Sequence, residues 1–133
     1  MQVFSRVGLV ARSVNEQIGE SLLLAERFLL EKEREVYFEH IAAKALGKRS
    51  SVSRTLEEIG ECCDLVIAVG GDGNILNCAR KMAPCGVPIL GINRGKLGFL
   101  ADVSPEEIEA SVGEVLSGNY SVQEHFLLEG RVE

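Results

Sequence analysis

The stretch of sequence that decides the fold is residues 64–74, DLVIAVGGDGN. Its first half is short, apolar and rich in β-branched residues, which is typical of a strand buried on both faces of a sheet. The residues that follow, 74–82, place apolar side chains at a helical spacing and carry two basic residues in the last turn, as a helix C-terminus favours. The glycines therefore lie in a turn between a central strand and a helix.

This turn consists of Gly70, Gly71, Asp72, Gly73 and Asn74. Glycine tolerates positive φ and carries no β-carbon that would hold a phosphate away from the N–H groups at the start of a helix, so the turn is suited to anions. The carboxylate of Asp72 would repel a phosphate, and it makes chemical sense as a metal ligand or as the acceptor of a proton from an attacking hydroxyl. The alternative is that Asp72 only caps the helix and the glycines only make a tight turn.

Strands and helices alternate along the chain, which predicts an α/β fold with an open, mainly parallel, Rossmann-like sheet and helices on both faces. Strands are predicted at residues 3–10, 35–38, 64–69 and 87–92, and helices at 14–31, 41–46, 56–59, 74–82 and 104–116. The polar, serine-rich residues 47–53 are predicted to form a mobile connection or a lid. Residues 120–132 carry a last strand-like pattern with nothing after it to pair with.

A second glycine-bearing loop, NRGKLGFL at residues 93–100, follows the predicted strand at 87–92. Ligands of open α/β sheets bind beyond the carboxyl ends of the strands, so both loops should line one cleft. Phe99 offers a flat apolar surface to a base, or it packs as ordinary core. Asn93 can bond a ribose or satisfy its own turn. The residues alone leave both alternatives open.

Composition and charge narrow the function classes. The chain has 133 residues, enough for one ordinary domain. With 14 basic and 20 acidic residues and no basic cluster interleaved with aromatics, nucleic-acid binding is disfavoured. The N-terminus lacks the apolar stretch of a signal peptide, so we expect a cytoplasmic protein with no membrane partner. Four basic residues near the loops either form a local positive field or are ordinary surface charges: Arg80, Lys81, Arg94 and Lys96.

The spacing of cysteines, glycines and histidines in the sequence argues against several alternative chemistries. The four cysteines do not repeat a metal-binding spacing, so buried reduced thiols are expected rather than zinc or disulfides. No P-loop motif is present, and position 76 is leucine where the dinucleotide fingerprint requires glycine. Neither histidine lies near a convincing nucleophile in the sequence, so acyl transfer has no support.

Two motifs carry a resemblance to a known family. Residues 70–74, GGDGN, match the GGDG[TN] motif of NAD kinases, and residues 91–100, GINRGKLGFL, match the second block of that family, G-x-N-x-G-x-L-G-F-L. The chain therefore resembles a bacterial NAD kinase of the ATP-NAD kinase family, which phosphorylates the adenosine 2′-hydroxyl of NAD to make NADP. Because GGDG also occurs in lipid and sugar kinases, a kinase of that type remains an alternative, as does a non-catalytic nucleotide-sensing module.

The resemblance implies roles for individual residues. Asp72 would be the catalytic residue that activates the 2′-hydroxyl, and Gly73 beside it would contact the dinucleotide. The remaining binding residues would shape the phosphate loop or lie against the NAD nucleotide: Gly70, Gly71 and Asn74 in the loop, and Phe99 against the nucleotide. NAD is the implied acceptor, ATP the implied donor with polyphosphate as the alternative, and Mg²⁺ or another divalent cation the implied cofactor. No metal site made by protein side chains alone is predicted.

The resemblance also implies an organisation. Members of the family are considerably longer and carry a β-rich second domain that makes the oligomer. Residues 1–120 would then form an α/β nucleotide-phosphate domain, and residues 121–133 would begin the linker or strand leading to an absent C-terminal domain. The full-length protein is expected to be a homo-oligomer, and this chain alone is expected to have weak activity or none.

Overall fold

A computed structural model describes residues 4–93, 105–118, 120–123 and 126–129. The strands are β1 Arg6–Val10, β2 Glu35–Glu39, β3 Ser53–Arg54, β4 Leu65–Gly70, β5 Ile89–Asn93, β6 Tyr120–Gln123 and β7 Phe126–Glu129. They form one sheet in the order β3-β2-β1-β4-β5-β7-β6. Every neighbouring pair is parallel except β6 with β7. The predicted open, mainly parallel α/β sheet is confirmed, and β4 is its central strand.

Helices cover both faces of this sheet. They are α1 Glu16–Glu31, α2 His40–Ala45, α3 Leu56–Cys62, α4 Asp72–Met82 and α5 Pro105–Leu116. Alternate residues of β4 point to opposite faces. Ile67 and Val69 belong to the hydrophobic cluster that includes α1 and α5, whereas Val66 and Ala68 belong to the cluster that includes α3 and α4. All six residues of β4 are buried, which is why its sequence is a continuous apolar run.

On the α3 and α4 face, two glycines let the helices lie directly on the sheet. A β-carbon at Gly8 in β1 would lie 2.5 Å from Cγ2 of Ile59, and one at Gly91 in β5 would lie 2.8 Å from Cγ2 of Ile75. Both distances are shorter than a van der Waals contact, so neither position accepts a side chain without movement of its neighbour. The contact at Gly91 fixes the first turn of α4 over β5.

Side-chain caps fix where two of the helices begin. The Oδ1 atom of Asn15 accepts a hydrogen bond from the N–H of Ile18 at 2.8 Å, so α1 begins at Glu16 rather than at residue 14. At α3, the N–H of Glu58 donates to Oγ1 of Thr55 at 3.0 Å, and the N–H of Thr55 donates to Oε1 of Glu58 at 2.9 Å. This reciprocal pair is a capping box.

The structure differs from the sequence-based expectation at the start of α4. The prediction placed that start at Asn74, but the helix begins at Asp72 with Gly71 as its N-cap, and the N–H of Ile75 donates to the carbonyl of Gly71 at 3.0 Å. Asp72 and Gly73 therefore belong to the first helical turn. Glycine and aspartate are weak helix formers, so the sequence pattern understated the helix, which packing of Ile75 over β5 stabilises.

Two other segments also differ. Residues 47–53 are only partly loop, because Ser50–Val52 forms a 3-10 turn and β3 pairs in parallel with the end of β2. The C-terminal pattern forms a hairpin of β6 and β7, and β7 joins the sheet where Phe126 pairs with Ile89. The division of the chain between residues 120 and 121 stays a prediction. Among the described helices, none has the length and apolarity needed to cross a membrane.

Candidate functional site

The strand order identifies where a ligand should bind. From β1 the chain passes outward to β2 and β3, and from β4 it passes outward in the opposite direction to β5. The boundary between β1 and β4 is therefore the topological switch point of the sheet, and ligands of open α/β sheets bind at the carboxyl ends of the strands there. Val10 pairs with Ala68 near those ends, and the turn at residues 70–74 follows directly.

Gly70 and Asn74 shape the turn itself. Gly70 ends β4 with φ +153°, a backbone conformation that favours glycine. A β-carbon there would also lie 3.2 Å from Nδ2 and 3.3 Å from Cβ of Asn74, so the asparagine side chain packs back against the end of the strand. Glycine at position 70 is therefore explained by the fold.

Gly71 and Gly73 are different, because the fold does not require glycine at either position. Neither has a positive φ, and within the described part of the chain no atom outside the adjacent residues and the helix's own backbone lies within 4 Å of where their β-carbons would be. Glycine inside a helix destabilises it by about 0.5–1 kcal/mol relative to alanine. Gly73, inside the first turn of the helix, carries this cost, whereas Gly71 is the N-cap, a position where glycine is well tolerated. Among the described residues nothing fills the space beside either glycine, which leaves room there for another molecule to approach the backbone.

The start of α4 also favours a negative charge. Gly71 caps the helix and provides no side-chain hydrogen bond. The first N–H groups of a helix have no partner within the helix, and together with its dipole they attract an anion. Asp72 is the first residue of α4; the structure describes its backbone and not its side chain.

One apolar side chain lies beside the open glycine. Leu76 is 51% exposed, and it lies three residues after the exposed Gly73 on the same side of α4. Ile75 faces the opposite way and is buried against β5. The first two turns of α4 therefore present a surface of free backbone and one leucine.

The second glycine-bearing loop leaves the sheet next to this turn. The backbone of Asn93, at the end of β5, pairs with Gly70 at the end of β4, so the two loops start side by side. That both loops line one cleft stays a prediction. The predicted site residue Phe99 and the basic residues Arg94 and Lys96 lie outside the described residues. Their contacts stay predictions.

A cavity of about 380 Å³ lies on the α3 and α4 side of the switch point. Its lining residues come from the ends of β1 and β2 and from three helices: Val10, Ala11, Arg12, Glu39, His40, Ile41, Thr55, Leu56, Glu57, Asn77, Cys78 and Lys81. Burial, with a smaller contribution from the charge of Glu39, raises the pKa of Cys78 to about 11, so this thiol is neutral at pH 7 and acts as an apolar wall. The sequence analysis did not predict this cavity.

The four cysteines are free thiols. Cys63 and Cys78 are buried as predicted, Cys62 is partly buried, and the prediction of burial is wrong for Cys85, which is exposed. Among the described residues, no three histidine, cysteine, aspartate or glutamate side chains are grouped to hold a metal. Mg²⁺ in phosphoryl-transfer sites is commonly held by one or two carboxylates plus substrate phosphates, and a single aspartate at an anion-binding turn fits that ligand set.

Comparison with known proteins identifies one family whose model matches most of this chain. Residues 7–120 match the model of the ATP-NAD kinase N-terminal domain. The NAD kinases of Pseudomonas entomophila (strain L48) and Pseudomonas aeruginosa (strain PAO1) are each 42% identical to this chain over 132 residues, which is 99% of this chain and 45% of the relative. The chain therefore spans a little under half the length of these curated relatives.

Among solved structures, a crystal structure of yeast NADH kinase complexed with NADH is similar. The TM-score is 0.67 at 20% sequence identity, and the match covers 87% of this chain and 37% of the yeast chain. At this identity the likeness supports the fold alone.

Proposed function

This chain belongs to the ATP-NAD kinase family, whose N-terminal domain it matches, and on that premise we propose that the whole protein is an NAD kinase. It transfers a phosphoryl group from ATP to the adenosine 2′-hydroxyl of NAD, giving NADP and ADP. NAD and ATP are its partners, and neither nucleic acid nor a membrane is one.

The observation that carries this proposal is the glycine turn at the start of α4. At the switch point of the sheet, no described side chain or neighbouring element fills the space beside Gly71 and Gly73, and the N–H groups there attract phosphate. Phosphoryl transfer needs positioned backbone donors and charge stabilisation more than reactive side chains. A turn that provides donors, space and one carboxylate is suited to that reaction.

In the proposed reaction Asp72 is the general base. Its carboxylate accepts the proton of the 2′-hydroxyl as that oxygen attacks the terminal phosphorus of ATP, and the bond from phosphorus to the bridging oxygen of ADP breaks. The N–H groups at the start of α4 orient the phosphates. Asp72 and the donor phosphates would together hold Mg²⁺ or another divalent cation, which neutralises developing negative charge when bound.

The remaining parts of the proposal concern the nucleotide contacts, the domain organisation and the assembly of the protein. Phe99 lies against the nucleotide, while Gly70, Gly71, Gly73 and Asn74 form the loop that receives it. Residues 1–120 form the nucleotide-phosphate domain, and residues 121–133 lead to a β-rich C-terminal domain. The full-length enzyme is a cytoplasmic homo-oligomer, and this chain alone has weak activity or none.

A chimera tests the proposal directly. It carries residues 1–133 of this chain followed by the part of the Pseudomonas aeruginosa relative that this chain does not cover. We expect it to convert NAD to NADP with ATP and Mg²⁺, and we expect the 133-residue chain alone to form little or no NADP. Omitting Mg²⁺ and then restoring it, or replacing it with Mn²⁺, measures the dependence on a divalent cation.

The alternatives predict other outcomes. A lipid or sugar kinase would leave NAD unchanged and phosphorylate a diacylglycerol or a hexose phosphate in the same assay. A nucleotide-sensing module would bind NAD and form no NADP, and Asp72→Asn would leave that binding intact. Either result would contradict the proposed function.

A further inference from the structure

The cavity beside α4 is connected to the glycine turn by one face of that helix. Asn74 ends the turn, and Asn77 and Lys81 follow at spacings of three and seven residues, which places all three on one helical face. Asn77 and Lys81 line the cavity. A ligand anchored at the turn can therefore extend along this face into the cavity.

The lining is suited to a flat, uncharged ring. Val10 and Ala11 are buried at the end of β1, and Leu56 and the neutral thiol of Cys78 add apolar surface. Asn77 is half-buried and makes no hydrogen bond within the described residues, so its amide is available to the edge of a base. The volume, about 380 Å³, lies within the range of small-molecule sites.

The formal charges of the lining balance. Arg12 and Lys81 are exposed cations with no ion pair within the described part of the chain. Two carboxylates oppose them: Glu39, whose Oε1 accepts from the N–H of Ile41 at 2.9 Å, and Glu57 in the first turn of α3. Such a lining attracts an uncharged nucleoside better than a chain of phosphates, which would meet both carboxylates.

The distance from the turn suits the phosphoryl donor. Asn77 lies five residues after Asp72, about 7.5 Å along the helix axis. In the acceptor, the adenine on the reacting sugar lies close to the turn and the nicotinamide nucleoside lies beyond a diphosphate, so the effect of filling the cavity on KM for NAD decides whether the acceptor reaches it. In ATP, two further phosphates and a sugar separate the transferred phosphate from the base, which is enough to span this distance.

We propose that this cavity receives the nucleoside of the phosphoryl donor, so that the donor is a nucleoside triphosphate rather than polyphosphate. This inference rests on the proposed function and adds the site of its second substrate. Arg12, an exposed cation in the lining, contacts the phosphates that lead from the cavity to the turn.

The test fills the cavity from α4. Asn77→Phe places a ring in it, and Arg80→Phe, a matched change on the same helix outside the cavity, is the control. In the chimera, Asn77→Phe should raise KM for ATP about tenfold or more and change KM for NAD less than about twofold. Arg80→Phe should change neither, and inorganic tripolyphosphate should be a poor donor for the unmodified chimera. If Asn77→Phe fails to fold, Arg12→Ala at an exposed position should raise KM for ATP alone.

Each other outcome overturns the inference. A rise in KM for NAD in the Asn77→Phe chimera would assign the cavity to the acceptor. If neither KM changed, the cavity would bind no substrate. Efficient phosphorylation of NAD by tripolyphosphate would show that the donor needs no nucleoside site. Calorimetric titration of the 133-residue chain with ATP separates this inference from the proposed function. ATP binding weakened by Asn77→Phe alone, without NADP formation by the chimera, would retain the cavity and reject the NAD kinase. If no ATP binds, the cavity inference falls whether or not NADP forms.

Discussion

The two ends of strand β4 each have an aspartate, and the structure uses the two ends differently. At the amino end, Oδ2 of Asp64 accepts a hydrogen bond from the N–H of Ser5 at 2.9 Å, and Oδ1 accepts one from the N–H of Arg6 at 3.0 Å. That carboxylate therefore fixes the backbone at the start of β1. At the carboxyl end, Asp72 follows Gly71, an N-cap that provides no side-chain hydrogen bond, and nothing among the described residues fills the space beside that glycine. The first aspartate stabilises the fold, and we propose that the second acts on a ligand.

The glycines show the same difference. Gly8 and Gly91 lie within the sheet, where an added β-carbon would collide with an isoleucine of α3 or α4. Gly71 and Gly73 lie at the carboxyl edge, where an added β-carbon would meet no described atom. The residue type is the same in both regions, so only the surrounding atoms distinguish a glycine required for packing from one that leaves room for a ligand.

The largest expected effect comes from removing the negative charge of each aspartate in turn. In the chimera, Asp72→Asn should lower the rate of NADP formation by about 10²–10⁴-fold because the general base is lost, with unfolding by urea unchanged. Asp64→Asn should do the opposite, costing about 1 kcal/mol of stability through weaker hydrogen bonds to β1 and leaving the rate unchanged. If both substitutions lowered the rate equally, or both only lowered stability, the two ends of β4 would not differ as described.

The next effect concerns the packed glycines. Gly91→Ala and Gly8→Ala should each lower the free energy of unfolding by about 1–3 kcal/mol, because the new methyl group forces an isoleucine to move. Urea unfolding of the 133-residue chain measures this. Ile75→Ala removes Cγ2, so combined with Gly91→Ala it should cost less than the sum of the single changes. Strict additivity would show that Ile75 does not collide with the new side chain.

The smallest expected effect is a dependence of stability on pH at the capping box of α3. The hydrogen bond from the N–H of Thr55 holds the pKa of Glu58 below its ordinary value of 4.5. Its contribution is therefore present above that value and is lost as pH falls through the lower pKa of the folded state. Glu58→Gln should lower the urea midpoint at pH 7 and make little difference at about pH 3. An equal difference at both pH values would contradict the capping role.

Much of the fold could be predicted from short-range patterns. The apolar run at β4 has no polar face, and the alternation of elements indicates a parallel sheet. The α/β fold class and the central position of β4 could therefore be predicted. The starts of α1 and α4 were less accurate because Asn15 and Gly71 act as caps. At α4, packing of Ile75 over Gly91 outweighs the low helix propensity of the turn residues.

The site could be predicted only where the sequence is contiguous. The glycine turn is one run of residues, so composition and spacing are enough to predict anion binding there. The cavity depends on β1 lying next to β4, and alternation of strands and helices does not fix that order. The helical spacing of Asn74, Asn77 and Lys81 was present in the sequence, but without the strand order nothing indicated what that face of α4 would meet.

The central claim is that the open glycines serve a ligand and not the fold. The most direct test is to measure the free energy of unfolding and kcat/KM for NADP formation on the same Gly73→Ala chimera. We predict that stability stays the same or rises by up to about 1 kcal/mol, since alanine favours the helix, while kcat/KM falls about tenfold or more because the methyl group occupies the space of the nucleotide. A loss of stability with kcat/KM unchanged would contradict the account.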